Sequence, residues 1–168
     1  MQAPGPEARE LAQRTGTWEV IASFWPSPEA EPMVATGLVA ERKMIGLYME
    51  EIMKPPVGSK TPDFTRIAYL SFSRVEGRWQ YVSMDTRFPV GIMPAYSFGK
   101  ESAGKLTLVF EPIAFVGLGK DVVGRMTRSN LVITRESEDH EFVRQYFIAS
   151  DGTEREWLAT QYEYKRKR

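Results

Sequence analysis

The 168-residue chain contains no cysteine. Disulfides, thiolate nucleophiles and cysteine-ligated metals are therefore excluded. A single histidine, His140, rules out zinc sites built from several histidines. There is no excess charge either: Lys plus Arg and Asp plus Glu number 22 each. Nothing global draws the chain to nucleic acid or to an anionic membrane. No apolar run approaches the ~18 residues that a membrane-spanning helix needs. Internal repeats, low-complexity tracts and strand–helix–strand alternation are also missing, which removes solenoids and parallel α/β sheets.

What remains is a chain of one-domain size with ordinary composition, 42% hydrophobic and 26% charged, long enough to bury a core without staples. Residues 1–10 read as a flexible arm rich in Pro and Gly, and residues 11–168 as one β-barrel domain. EARELAQRTG supports one or two helical turns with Leu11 as the apolar contact and Gly16 as the helix stop. Beyond it, alternating segments recur with short connections. They are 17–26, 33–45 with a bulge or bend at Gly37, 47–54 after a tight turn at Gly46, 64–75, 78–88, 92–99, 105–113, 125–136, 141–150 and 154–165. Glu76-Gly77 and Asp151-Gly152 read as hairpin turns. Pro94 marks 92–99 as an edge or irregular strand. The pattern predicts an all-β fold: an antiparallel up-and-down barrel of about ten strands, closed to remove its edges.

The segment RWQYVSMDTRF (78–88) poses the functional question. Alternation puts Trp79, Tyr81, Ser83, Asp85 and Arg87 on one face, and Val82 and Met84 on the other. If the charged face points inward, Asp85 and Arg87 form a polar anchor, with Tyr69 and Tyr81 on paired strands and Arg125, Arg128 and Arg144 as available partners. A buried carboxylate there needs such partners or a raised pKa. A bulge between Trp79 and Asp85 would reverse the parity and leave an ion pair at the rim. The methionines Met44, Met49, Met53, Met84, Met93 and Met126, with Phe24, Trp25, Tyr48, Phe72, Phe110 and Phe147, form either an adaptable apolar pocket or a plain core. Ten strands leave more interior room than eight.

Three further features carry less. His140 lies in the charged turn ESEDHE, a poor place for an axial haem ligand, which needs a dry apolar wall. FVGLGKDVVGRM (115–126) has glycines and a lysine but not the spacing of a phosphate loop, and reads as a loop near the barrel mouth. KRKR (165–168) reads as a solvated tail.

Several segments together resemble a bacterial family, domain of unknown function 1579. They are PGPEARELAQRTGTWEV, TGLVAERKMIGLYMEE, RWQYVSMDTR and DGTEREWLATQYEYKRK. The family pattern matches Gly16-Thr17-Trp18, Arg42 with Ile45-Gly46, Asp85-Thr86 and Tyr164-Lys165-Arg166. The chain departs from it at Ile45 and around LSFS (70–73). The resemblance implies a lipocalin-like, calycin-type barrel and no established activity. It also implies a structural role for Trp18, plugging the closed end beneath Arg166. Some members carry signal peptides, and the PGPE start is similar to their mature ends, so a periplasmic or secreted location is expected, with the cytoplasm as the alternative.

The leading expectation is a protein that binds a small apolar or amphipathic ligand inside the barrel, through Tyr69, Tyr81, Met84, Asp85, Arg87, Met126, Arg144 and Tyr146. One alternative is an isomerase, cyclase or hydrolase using Asp85 with Arg and Tyr side chains, although no nucleophile–base pair is legible. Another is a filled barrel working by dimerisation or partner docking, with Trp25 and Trp157 exposed as anchors. No cofactor or metal is called for, and a second copy of the chain is a candidate partner.

Overall fold

The computed structural model of the protein describes residues 5–88, 90–98, 104–114, 126–148 and 152–168. A short helix, α1 (Pro6–Ala12), leads into β1 (Gly16–Phe24), β2 (Met33–Ile45), β3 (Tyr48–Lys54), β4 (Arg66–Ser73), β5 (Arg78–Asp85), β6 (Met93–Ser97) and β7 (Lys105–Phe110). A two-residue β8 (Ile113–Ala114), β9 (Met126–Ser137), β10 (His140–Ile148) and β11 (Glu156–Arg166) complete the chain. Every pairing is antiparallel. The order runs β10-β11-β1-β2-β3-β4-β5-β6-β7-β9, and β9 pairs back onto β10. Among the described residues this makes a closed ten-stranded meander, with β8 as a short addition beside β9. Closure leaves the ten main strands without an open edge among the described residues.

Strand alternation builds the interior. Trp18, Val20 and Ala22 of β1 are buried, as are Leu38, Ala40 and Arg42 of β2, while their neighbours along each strand are more exposed. Gly37 is the bulge residue: Val20 pairs with Leu38 but Ala22 pairs with Ala35, so two residues of β2 oppose Ile21 alone. Its φ of +71° suits the left-handed position of such a bulge. The Gly46 turn is a two-residue hairpin, with Ile45 opposite Tyr48.

Three local expectations are corrected. The β4–β5 loop has four residues rather than two, because Ser73 pairs with Arg78 and the Gly77 N–H returns to the Ser73 carbonyl at 2.7 Å. β6 is an interior strand rather than an edge, paired with both β5 and β7. Pro94 is tolerated there because it lies one residue beyond the Ala95–Phe110 register pair and uses only its carbonyl on that side, accepting from the Glu111 N–H at 3.1 Å. The helix stops at Gln13 rather than Gly16, and Gly16 opens β1 instead. The stretch 115–124, Arg125 and Asp151 lie outside the described residues.

The two ends of the barrel differ. At one end α1 lies across the opening and drives Leu11 fully into the core, a burial that stabilises by roughly 1.5–3 kcal/mol. Below it, Trp18 donates its indole N–H to the Arg14 carbonyl at 3.1 Å. Arg166, from the last strand, lies 4.4 Å from the centre of the Trp18 ring and donates to the Gln13 carbonyl at 2.7 Å and to that of Thr15. The first and last elements are thus fastened to one plug. Among the described residues no helix covers the opposite end, where β1 finishes at Phe24 and β2 begins at Met33.

Candidate functional site

The interior has two storeys. The upper one, at the uncovered end, is a cavity of about 360 Å³, within the range of small-molecule sites. Ala22, Phe24, Met33, Ala35, Phe88 and Thr160 supply most of its wall, with Arg87 and Tyr162. Small residues make the room: Ala22 and Ala35 are register partners, facing each other where larger side chains would fill the barrel. Met33 and Val34 at the rim are 60% and 57% exposed.

Arg87 is the one charged residue among the described lining. It lies just beyond β5 and folds back onto Asp85, with Nη2 to Oδ2 at 2.6 Å and Nε to Oδ1 at 2.9 Å. Its guanidinium also stacks 3.9 Å from the Phe64 ring centre and donates to the Tyr162 hydroxyl at 3.3 Å. The Asp85 side chain is 3% exposed and that of Arg87 30%, so one edge of the guanidinium faces the cavity. Burial alone would lower the Arg87 pKa, but Asp85 and Tyr162 together outweigh it and the net shift is upward. The group stays cationic.

The lower storey is a buried ionic network. Arg42 and Glu51 are register partners on β2 and β3, bonded Nε to Oε2 at 2.7 Å. The other Glu51 oxygen accepts from Arg66 at 2.7 Å and from the Tyr164 hydroxyl at 3.0 Å. Arg66 also donates to the Tyr81 hydroxyl. Arg42 reaches across to Glu141 on β10 at 2.9 Å, and Arg14 meets the same carboxylate at 3.4 Å. The Arg42 guanidinium lies 4.3 Å from the Tyr164 ring centre and 5.0 Å from that of Trp18.

The electrostatics are one-sided. Burial alone would raise the Glu51 pKa, yet Arg42 and Arg66 outweigh it and hold the carboxyl below its ordinary range. Burial pushes the Tyr81 and Tyr164 hydroxyls up, and the Glu51 charge pushes Tyr164 further. Glu51 thus stays ionised and both tyrosines neutral near pH 7. With three donors on its two oxygens and a lowered pKa, Glu51 is a clamp for two arginines and a poor base.

The barrel wall divides the eight residues singled out from sequence. Tyr81 and Asp85 point inward with Trp79 and Ser83, so the charged parity of β5 is the interior one. Arg87 meets them at the mouth. Tyr69 faces outward, opposite the inward Ala68 and Leu70, and donates to Glu50 at 2.7 Å. Met84 lies on the outer parity of β5. Met126 is 51% exposed at the start of β9. Arg144 and Tyr146 occupy the face of β10 opposite Val143 and Phe147, and Arg144 donates to Gln161 at 2.7 Å. His140 opens β10, 3.0 Å from Glu163 and packed edge-on to Phe142. Trp25 and Trp157 are half-buried rather than exposed, and Trp157 packs edge-on to Phe147.

The sequence reading missed Arg14, Glu51, Arg66 and Glu141 as interior residues. The signal was present for the last three. Glu51 shares parity with Met49 and Met53, Arg66 with Ala68 and Leu70, and Glu141 with Val143. A charge on the apolar parity of a strand is either an error of register or a buried partner.

A closed antiparallel barrel, plugged at one end and hollow at the other, defines the class: a one-mouthed β-barrel with a charged floor. Within that class the chain belongs to the family described as protein of unknown function DUF1579, whose model matches residues 3–166. No curated protein matches the sequence.

Proposed function

We propose that the protein binds a small amphipathic molecule in its upper cavity, apolar part against Ala22, Phe24, Met33 and Ala35, acidic end on Arg87. The observation that carries this reading is an apolar cavity of about 360 Å³ with a single cation in its described lining. An apolar wall with a few convergent polar groups is the usual make-up of a ligand pocket. A carboxylate would take the free edge of the Arg87 guanidinium in a charge-assisted hydrogen bond. Tyr162, which accepts from Arg87, keeps its own hydroxyl proton to donate. Asp85 holds Arg87 in place and discourages small inorganic anions by its charge, leaving apolar contact to select the guest.

The test is displacement of a fluorescent medium-chain fatty acid by unlabelled acids and by the matching alcohols. The expected result is one site per chain and tighter binding of acids. Absence of binding by both series up to their solubility limits would reject the reading. Native mass spectrometry of the freshly purified protein supplies a second readout, a retained organic acid.

A further inference from the structure

We propose that the lower storey is also a binding site, holding one monatomic anion of chloride size beside Arg14 and Arg42. The proposal rests on three observations independent of the upper cavity.

The first is a pair of orphan donors. Arg42 Nη1 and Arg14 Nε are buried and have no hydrogen-bond partner among the described residues. The two side chains are 2% and 6% exposed. A buried unpaired donor on a charged group is costly, and native structures rarely leave one empty-handed. The second is space. A chamber of about 30 Å³ lies among Arg14, Arg42, Arg66, Glu51 and Glu141, and apolar residues such as Leu70 and Ile133 also line it. That volume suits one or two water-sized bodies and excludes a carboxylate with its chain.

The third observation is charge. Three guanidiniums, Arg14, Arg42 and Arg66, share two carboxylates, Glu51 and Glu141. Asp85 lies opposite Arg66 in the β4–β5 register but is committed to Arg87. Glu50, the remaining buried carboxylate among the described residues, is on the outer face of β3 with Tyr69 and Lys43. Neither Tyr81 nor Tyr164 supplies a phenolate, since both hydroxyls hold their protons more tightly than usual. One positive charge is left over. A water molecule would satisfy the orphan N–H groups but not that charge, whereas a halide does both in a medium where an unpaired charge is expensive.

Crystals grown in sodium bromide, with diffraction recorded at the bromine absorption edge, test this directly. The expected result is an anomalous peak in the chamber, within hydrogen-bond distance of Arg42 Nη1 or Arg14 Nε. A chamber holding only water, or bromide confined to the surface, would overturn the proposal. Thermal unfolding gives the solution counterpart. The midpoint should rise with sodium chloride relative to sodium gluconate at equal ionic strength, by roughly 3–5 °C per tenfold increase above half-saturation. Arg14→Gln, which removes the surplus charge, should abolish that difference. Equal midpoints for the native protein in the two salts, or an undiminished difference in Arg14→Gln, would count against the site. Neither measurement depends on the upper cavity, so its reading can fail without affecting this one.

Discussion

Arg42 and Glu51 face each other across adjacent strands, 2.7 Å apart, and each also bonds to a partner on a distant strand, Glu141 and Tyr164 respectively. Through Arg66, Glu51 ties β3 to β4, and through Tyr164 it reaches β11. Arg42 ties β2 to β10. Side chains from five strands therefore meet at one pair.

Replacing one member should cost more than the bond itself. Glu51→Gln leaves Arg42 and Arg66 without their shared carboxylate in a buried site. A loss of about 3–5 kcal/mol is expected from the cost of stranding buried charge. Urea unfolding of native and variant protein, compared at neutral pH, measures it.

The same pair makes stability depend on acid. The Glu51 pKa is lowered in the folded state, so the folded chain binds this proton less readily than the unfolded one. Its contribution is complete above the unfolded value of about 4.3 and is lost as pH falls through the folded value. The stability gap between native protein and Glu51→Gln should therefore be constant from pH 7 to about 5 and shrink below about 4.3. A gap of unchanged size down to pH 3 would show that the carboxylate is not held in this way.

Gly16 supplies a prediction about the plug. Its φ is +118°, and a Cβ built there would lie 3.1 Å from the Arg166 guanidinium. Gly16→Ala combines backbone strain with displacement of the residue that covers Trp18. About 1–3 kcal/mol of destabilisation is expected, read as a lower urea midpoint with an unchanged slope. Fluorescence of the four tryptophans should shift as Trp18 loses its cover.

The upper cavity can be filled without touching the network. Ala35→Trp puts a large side chain where Ala22 and Ala35 leave room. It should abolish binding of the fluorescent acid while the barrel still unfolds cooperatively. The double change Asp85→Asn with Arg87→Gln removes the cation without stranding the carboxylate. Acid affinity should fall by the equivalent of about 1.5–3 kcal/mol, the worth of a hydrogen bond to a charged group, with alcohol affinity little changed. Isothermal titration of matched acid and alcohol reads both.

Much of this fold was legible because a meander writes its topology in chain order. Alternation located the strands, and short polar connections made them neighbours. What stayed hidden was local. Glu76-Gly77 has the composition of a two-residue turn, but the Ser73–Arg78 pairing makes it four. Pro94 signals an edge only when its strand is read alone; beside the end of β7 its carbonyl alone is used, by the Glu111 N–H. The site was less legible. The inward parity of Asp85 could be read from Trp79 and Tyr81, but its pairing with Arg87 needed the chain to turn beyond β5. Tyr69 and Met84 look like lining by residue type, and their parity sends them outside. Arg14 sits on no strand, so no periodicity could place it; only the helix folding back over the barrel does.

The buried network also divides the interior. Below the upper cavity, packed arginine, glutamate and tyrosine side chains cross from wall to wall, and α1 seals what lies beneath. The molecule is a cup and not a tube. A guest bound as proposed would leave by the way it came, held, delivered or shielded but not conducted from end to end. Exchange at the mouth then governs how quickly one guest replaces another, and a partner that covered the rim would act as a stopper.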